Sequence, residues 1–163
     1  MSWRIRQAGY PDLEAAARTK AESWGESLHE LVGEESVRRQ RDPDRLSRTV
    51  AAWADVLEDG GSVWLVVGDQ GEIVGVAQAG IGRDEDAPTP LELVVLYLRA
   101  VAHGSGVADA LLTMAIGDAP AYLWVLSGNL RAHAFYRRHG FTPDGTTLWV
   151  EGLGMTKERW VRT

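Results

Sequence analysis

The 163-residue sequence contains no cysteine, which removes disulfides, thiolate metal sites and cysteine nucleophiles from consideration. No apolar run approaches the length of a membrane span, and the start, Met1-Ser2-Trp3-Arg4, lacks the apolar core of a secretory signal. A cytoplasmic location with no membrane partner is therefore expected. Basic residues are outnumbered, 17 Lys and Arg against 23 Asp and Glu for a formal charge of −6. With no basic stripe to neutralise phosphates, the chain does not read as a nucleic-acid binder. The histidines, His29, His103, His133 and His139, form neither an i, i+4 pair nor an HExxH motif, so no metal site is expected. Repeats, low-complexity tracts and linkers are also lacking.

What is present is ordinary globular material, 45 % hydrophobic and 25 % charged, enough for a single domain over residues 1–163. Trp3-Arg4-Ile5-Arg6 alternates as a short strand. Pro11-Asp12 opens a helix with Leu13, Ala16, Ala17 and Trp24 on one side. The stretch from Gly25 to Gln40, punctuated by Gly33, reads either as one broken helix or as two short ones. Asp42-Pro43 is an N-cap followed by proline at the first helical position; Leu46, Val50, Trp53 and Leu57 form a buried stripe, and Asp59-Gly60-Gly61 ends the helix. Strands are expected at Ser62–Val67 and Ile73–Ile81, a buried strand at Ala121–Leu126, a helix from Asn129 to His139, and a closing hairpin over Phe141–Arg162 that turns near Glu151-Gly152-Leu153-Gly154.

The chain is organised around Leu91 to Leu112. Its first part, with Val94, Val95 and Tyr97, has the composition of a strand buried on both faces. It passes through His103-Gly104-Ser105-Gly106 into a helix with Val107, Leu111, Met114 and Ala115 at helical spacing. Such a turn leaves backbone N–H groups unpaired at the positive end of a helix dipole, ready for an anion such as a diphosphate. The same turn is also how any α/β domain reverses direction. Better-known spellings fail here. A dinucleotide fingerprint needs a glycine at Asp109, no Gly-Lys-Ser/Thr exists for a P-loop, and a hydrolase elbow around Ser105 needs glycines at His103 and Val107.

The turn resembles the acyl-CoA loop of the GNAT superfamily of N-acetyltransferases, R/Q-x-x-G-x-G/A, written here His103-x-x-Gly106-x-Ala108 after the strand phrase Leu96-Tyr97-Leu98. A second block, Leu123-Trp124-Val125-Leu126-Ser127-Gly128-Asn129 with Ala132, Phe135-Tyr136 and Gly140-Phe141, is similar to the family's next motif at the family's spacing. The resemblance is close over the C-terminal half and holds only in pattern before it. It implies an α/β (α+β) fold: a mixed, mostly antiparallel central sheet with helices on both faces, and a cleft where the strands around Leu93–Leu98 and Ala121–Leu126 splay to admit acyl-CoA. The implied activity is transfer of an acetyl group from acetyl-CoA, as co-substrate, to a primary amine of a small molecule or peptide by direct attack. The alternative is a non-catalytic acyl-CoA-binding regulatory module of the same fold; either is expected as a monomer or homodimer.

Site residues follow from the same resemblance. Backbone groups of Leu96, Tyr97 and Leu98 would flank the pantetheine arm. His103 and the amides of Gly104, Ser105, Gly106, Val107, Ala108 and Asp109 would surround the diphosphate, and Asn129, equally suited to cap a helix, would bond the pantetheine. Tyr136 would donate a proton to the departing thiolate. Glu92, on the parity of Val94, Leu96 and Leu98, is similar in position to the base glutamate of the histone-acetyltransferase-like branch, and burial there is expected to raise its pKa; a strand-end carboxylate in water or paired with an arginine is the competing reading. Trp124 stands where the ribosomal-protein N-terminal acetyltransferases keep their base glutamate, which argues against that branch. A neutral His103, where arginine or glutamine is usual, brings no permanent charge; Arg99, Arg131, Arg137 and Arg138 are candidates to answer the phosphates. Trp24, His29, Glu30, Glu34, Glu35 and Asp84-Glu85-Asp86 are candidate walls for the acceptor, and their acidity would suit a cationic amine.

Overall fold

The structure, a computed structural model, describes residues 2–163. After β1 (Arg4–Gln7) the chain forms α1 (Leu13–Val32), α2 (Glu34–Gln40) and α3 (Pro43–Glu58). There follow β2 (Val63–Val67), β3 (Ile73–Ile81), β4 (Leu91–Leu98), α4 (Val107–Ile116), β5 (Ala121–Leu126), α5 (Leu130–Arg138), β6 (Thr142–Val150) and β7 (Met155–Arg162). All the strands join one seven-stranded sheet in the order β1-β2-β3-β4-β5-β7-β6. Every neighbouring pair is antiparallel except β4 and β5.

The ambiguous stretch after Gly25 resolves as a long helix followed by a short one. α1 runs unbroken through Gly25, because that glycine serves packing: a Cβ there would lie 2.9 Å from Val37 Cγ1 of α2. The break falls at Gly33, whose φ of 84° admits few side chains. α3 begins as its sequence indicates, Asp42 Oδ1 accepting from Asp44 N at 3.2 Å ahead of Pro43, a cap worth about 1 kcal/mol.

Helices cover both faces. Leu13, Ala16 and Ala17 of α1 and Trp53 of α3 pack with Val63, Leu65, Val76 and Val95 on one side. On the other, Leu112 and Ile116 of α4 and Tyr136 of α5 pack with Leu93, Leu123 and Trp160. β2 alternates between these layers, Leu65 facing α1 and Val66 facing α4. The continuous apolar run of that strand reflects burial on both sides.

Two irregularities in β4 shape the site. Its ladder with β3 passes from Leu93 opposite Ala79 to Val95 opposite Gln78, so Val94 is an inserted residue, a β-bulge. The bulge exchanges the faces of the strand: Leu91 and Leu93 share the α4/α5 side with Leu96 and Leu98, while Val95 and Tyr97 face α1. The simple alternation expected of Glu92, Val94, Leu96 and Leu98 is therefore broken, and Leu96 and Leu98 lie on the face opposite Val95 and Tyr97. The second irregularity is that β4 and β5 pair at one position, Glu92 opposite Tyr122. Beyond it β4 continues for six residues, Leu93 to Leu98, with no partner on that edge.

Candidate active site

The fork between β4 and β5 is closed at Glu92 and Tyr122 and open toward Leu98 and Leu126. At the open end the chain leaves β4 through a single 3-10 turn, Ala100–Ala102, and reaches the glycine turn. Gly104 and Gly106 take φ of 74° and 84°, and a Cβ on either would meet nothing within 4 Å, so the main chain lies bare there. Among the described residues, the N–H groups of Gly104, Ser105, Gly106, Ala108 and Asp109 donate to no protein acceptor. Val107 N is held at 3.4 Å by Ser105 Oγ, which itself donates to Ala102 O at 2.6 Å. Open amides at the start of a ten-residue helix, with space in front of them, fit a diphosphate.

Three side chains of this turn have other duties. The His103 ring donates from Nε2 to Leu98 O at 2.9 Å, tying the turn to the end of β4. Asp109 accepts from His139 Nε2 at 2.6 Å and from Arg138 at 3.5 Å, binding the first turn of α4 to the end of α5. Ser105 is the local cap just described. Among the candidate phosphate arginines, Arg99 is engaged with Glu22 and with Glu26 at 2.6 Å, and Arg137 lies over the Trp160 ring. Arg138 is the one held beside the open amides, through Asp109.

Asn129 caps α5, its Oδ1 accepting from Ala132 N at 3.2 Å; its amide nitrogen has no protein partner among the described residues. Tyr136 packs edge-on to Phe135 and Phe141 and against Leu93. Its ring is buried, 8 % exposed, yet among the described residues its hydroxyl has no protein partner, and it is not enclosed. Burial, then the neighbouring Tyr97, raises its pKa above the ordinary phenol value. Tyr97 is pushed up to about 12 by burial alone. Tyr97 faces α1 and Tyr136 comes from the helix on the other face.

Glu92 is buried, 1 % exposed, and its surroundings correct the expectation of a raised pKa. Arg83 grips it bidentately, Nε to Oε1 at 3.0 Å and Nη2 to Oε2 at 2.7 Å, and Arg83 N adds a bond of 3.1 Å to Oε1. Tyr122 donates to the same oxygen at 3.1 Å. Burial works to raise the carboxyl, but the bonds and charge of Arg83, with the Tyr122 hydroxyl, outweigh it and hold Glu92 below its ordinary value. The spacing of Arg83 and Glu92 gave no sign of this, because a loop brings them together.

The candidate acceptor walls separate into groups. His29 and Glu34 line a 390 Å³ hollow with Gly25, Val37, Arg38 and Arg41. Trp24 borders a second hollow, 230 Å³, with Arg39, Arg45 and the β6–β7 tip at Val150–Leu153. Asp84 and Asp86 accept from the buried Arg159 at 3.1 and 2.9 Å, together with Asp144 at 2.6 Å, and Trp124 Nε1 donates to Asp84 at 3.1 Å. Trp124 therefore braces that acidic loop.

The sequence model of the Acetyltransferase (GNAT) family matches residues 24–141. No curated protein matches at the sequence level. Among solved structures, the PaiA N-acetyltransferase of Thermoplasma acidophilum in complex with coenzyme A is 18 % identical with a TM-score of 0.76, over 100 % of this chain and 99 % of that one. A GNAT superfamily phosphinothricin acetyltransferase of Sinorhizobium meliloti in complex with AcCoA has 21 % identity and a TM-score of 0.71, over 99 % of this chain and 88 % of that one. The ribosomal-protein-alanine N-acetyltransferase of Brucella melitensis has 21 % identity and a TM-score of 0.70, over 98 % of each chain. These likenesses are of fold. With the family match covering both motif blocks and the forked sheet around them, this chain belongs to the GNAT family of acyl-CoA-dependent acetyltransferases.

Proposed function

We propose that the protein transfers an acetyl group from acetyl-CoA to a primary amine, by direct attack within the β4–β5 fork. The observation that carries the reading is the single pairing of these strands beside a turn of unpartnered amides. The free edge of β4 from Val94 to Leu98 offers main-chain groups to the pantetheine amides, as an added strand would. The amides of Gly104 to Asp109 hold the diphosphate, with Arg138 at their margin. Neighbouring proteins bound to coenzyme A and AcCoA in the same fold support this assignment.

Acetyl-CoA supplies an activated thioester; the chain's own groups orient and polarise it. The bulge at Val94 takes main chain out of the ladder where the fork opens, and we assign polarisation of the thioester carbonyl to an N–H of that stretch. The amine nitrogen bonds to the carbonyl carbon, the carbon–sulfur bond breaks, and the proton lost by nitrogen ends on the departing sulfur. Tyr136 donates its hydroxyl hydrogen bond to that sulfur. Because its pKa is raised, it stays protonated at neutral pH, and a transient tyrosinate would promptly recover the amine's proton. Glu92, ion-paired and held acidic, is assigned to keeping the closed end of the fork in shape.

The test is release of free thiol from acetyl-CoA across a panel of amines, with the acetylated product identified by mass. Amine-dependent release is expected. Tight binding of acetyl-CoA with no release from any amine would instead make the chain a binding module.

A further inference from the structure

Lys157 of β7 is half-buried, and among the described residues its ammonium forms no ion pair and no hydrogen bond. It lies over the indole of Trp124, 5.1 Å from the ring centroid. The acidic residues of the adjoining strand and loops are engaged elsewhere. Asp84 accepts from Trp124 Nε1 and, with Asp86 and Asp144, from Arg159. Glu158, next in sequence, accepts from Trp160 Nε1 at 3.0 Å and lies 3.3 Å from His133. The cross-strand neighbours of Lys157 are both apolar, Leu126 on β5 and Leu148 on β6. The chain's other lysine, Lys20, is on α1.

Trp124 places this amine beside the fork. β4 and β5 meet at Glu92 and Tyr122, and two residues further along each parallel strand stand Val94 and Trp124. Val94 is the bulge whose stretch is assigned to polarise the thioester. On that reading Trp124 edges the fork at the level of the reacting carbonyl. Its side chain shares a face with Leu126, which packs with Trp24 and Tyr97. Neighbouring strands lie about 4.8 Å apart, so an ammonium over the Trp124 ring has already crossed from β7 to β5. The fork opens at the far edge of that same strand. A cation over an exposed aromatic ring is held weakly, and the four-carbon stem of a lysine is flexible. The ε-amine is itself a primary amine, the class of acceptor proposed for the fork.

We propose that Lys157 is a self-acetylation site: with acetyl-CoA in the fork and no external amine present, its ε-nitrogen takes the acetyl group from the co-substrate held by its own chain. This rests on the acetyl-transfer reading above. The ammonium first gives a proton to water. The nitrogen lone pair then bonds to the carbonyl carbon, the carbon–sulfur bond breaks, and a second nitrogen proton ends on the departing sulfur. The products are Nε-acetyl-lysine and free CoA, and the charge over Trp124 is gone. The experiment incubates the full chain with acetyl-CoA and no amine, follows intact mass and free thiol together, and maps the label by peptide mass spectrometry. One acetyl group per chain is expected on Lys157, with one thiol released for each, at roughly ten times the rate at Lys20 or more. The rate constant should not depend on protein concentration, and added free CoA, competing for the fork, should suppress it. Lys157→Arg should abolish the label. Equal labelling of Lys20 and Lys157, or labelling that free CoA leaves unchanged, would mean solution chemistry and overturn the proposal. A rate constant that grows with protein concentration would put the reaction between chains and overturn the assignment to one chain. A protein that acetylates external amines yet stays unlabelled would overturn the site while leaving acetyl transfer standing. Absence of both label and release from every amine would overturn both.

Discussion

Glu92 and Tyr122 are the one pair of residues that face each other across β4 and β5, and the same two side chains share a hydrogen bond of 3.1 Å. The strands are thus fastened at a single point, from the inside, by a carboxylate that Arg83 also grips. Everything beyond that point is free to part, which is what an acyl-CoA arm needs.

Replacing Glu92 by glutamine removes the charge from these bonds while keeping the shape. At neutral pH the variant should lose about 1–3 kcal/mol of stability, the usual cost of weakening buried charge-assisted bonds. The folded pKa of Glu92 lies below its ordinary 4.5, so its contribution is complete above that value and is lost as pH falls through the folded one. Thermal melts should therefore show the gap between wild type and Glu92→Gln closing as pH is lowered below about 4.5. A gap that widens in acid would mean the carboxyl is raised, as a general base requires. The pH–rate profile should likewise keep its shape from about pH 6 to about pH 9 in the variant.

Tyr136→Phe deletes a hydroxyl that has no protein partner among the described residues. Stability should change by less than about 0.5 kcal/mol, and acetyl-CoA affinity should hold. kcat should fall by roughly 100-fold, the scale of a lost proton donor. Unchanged turnover would remove Tyr136 from the chemistry.

Gly106→Ala puts a side chain at φ 84° into open space, so the cost is backbone strain of about 1–2 kcal/mol and not a clash. Relief of that strain turns the amides away from the diphosphate. Calorimetric titration should find acetyl-CoA binding weakened by roughly tenfold, with the amine KM little altered.

Arg159→Met leaves Asp84 and Asp144 half-buried beside each other without their cation. Denaturant unfolding should register a loss of about 3 kcal/mol. A near-neutral result would mean that water already screens this cluster.

The strand and helix pattern was readable because both faces of the sheet are covered, so apolar runs and capping residues agree from Asp42-Pro43 to Gly140. The glycine turn was readable from its spelling, Gly104 and Gly106 between a buried strand and the helix that begins at Val107. The bulge at Val94 was not, since Leu-Val-Val-Leu is equally apolar with or without it, and its consequence was a wrong parity beyond Glu92. Arg83 and Arg159 were missed because they meet their carboxylates through loops and cross-strand contacts, where charged residues look merely solvated.

The central claim is that the free edge of β4 and the amides after it receive acetyl-CoA, and hydrogen exchange of the backbone with and without that ligand tests it most directly. Slowed exchange at residues 94–98 and 104–109, with little change in β1 and β2, is the predicted result. Binding of acetyl-CoA with exchange unaltered in both segments would contradict it.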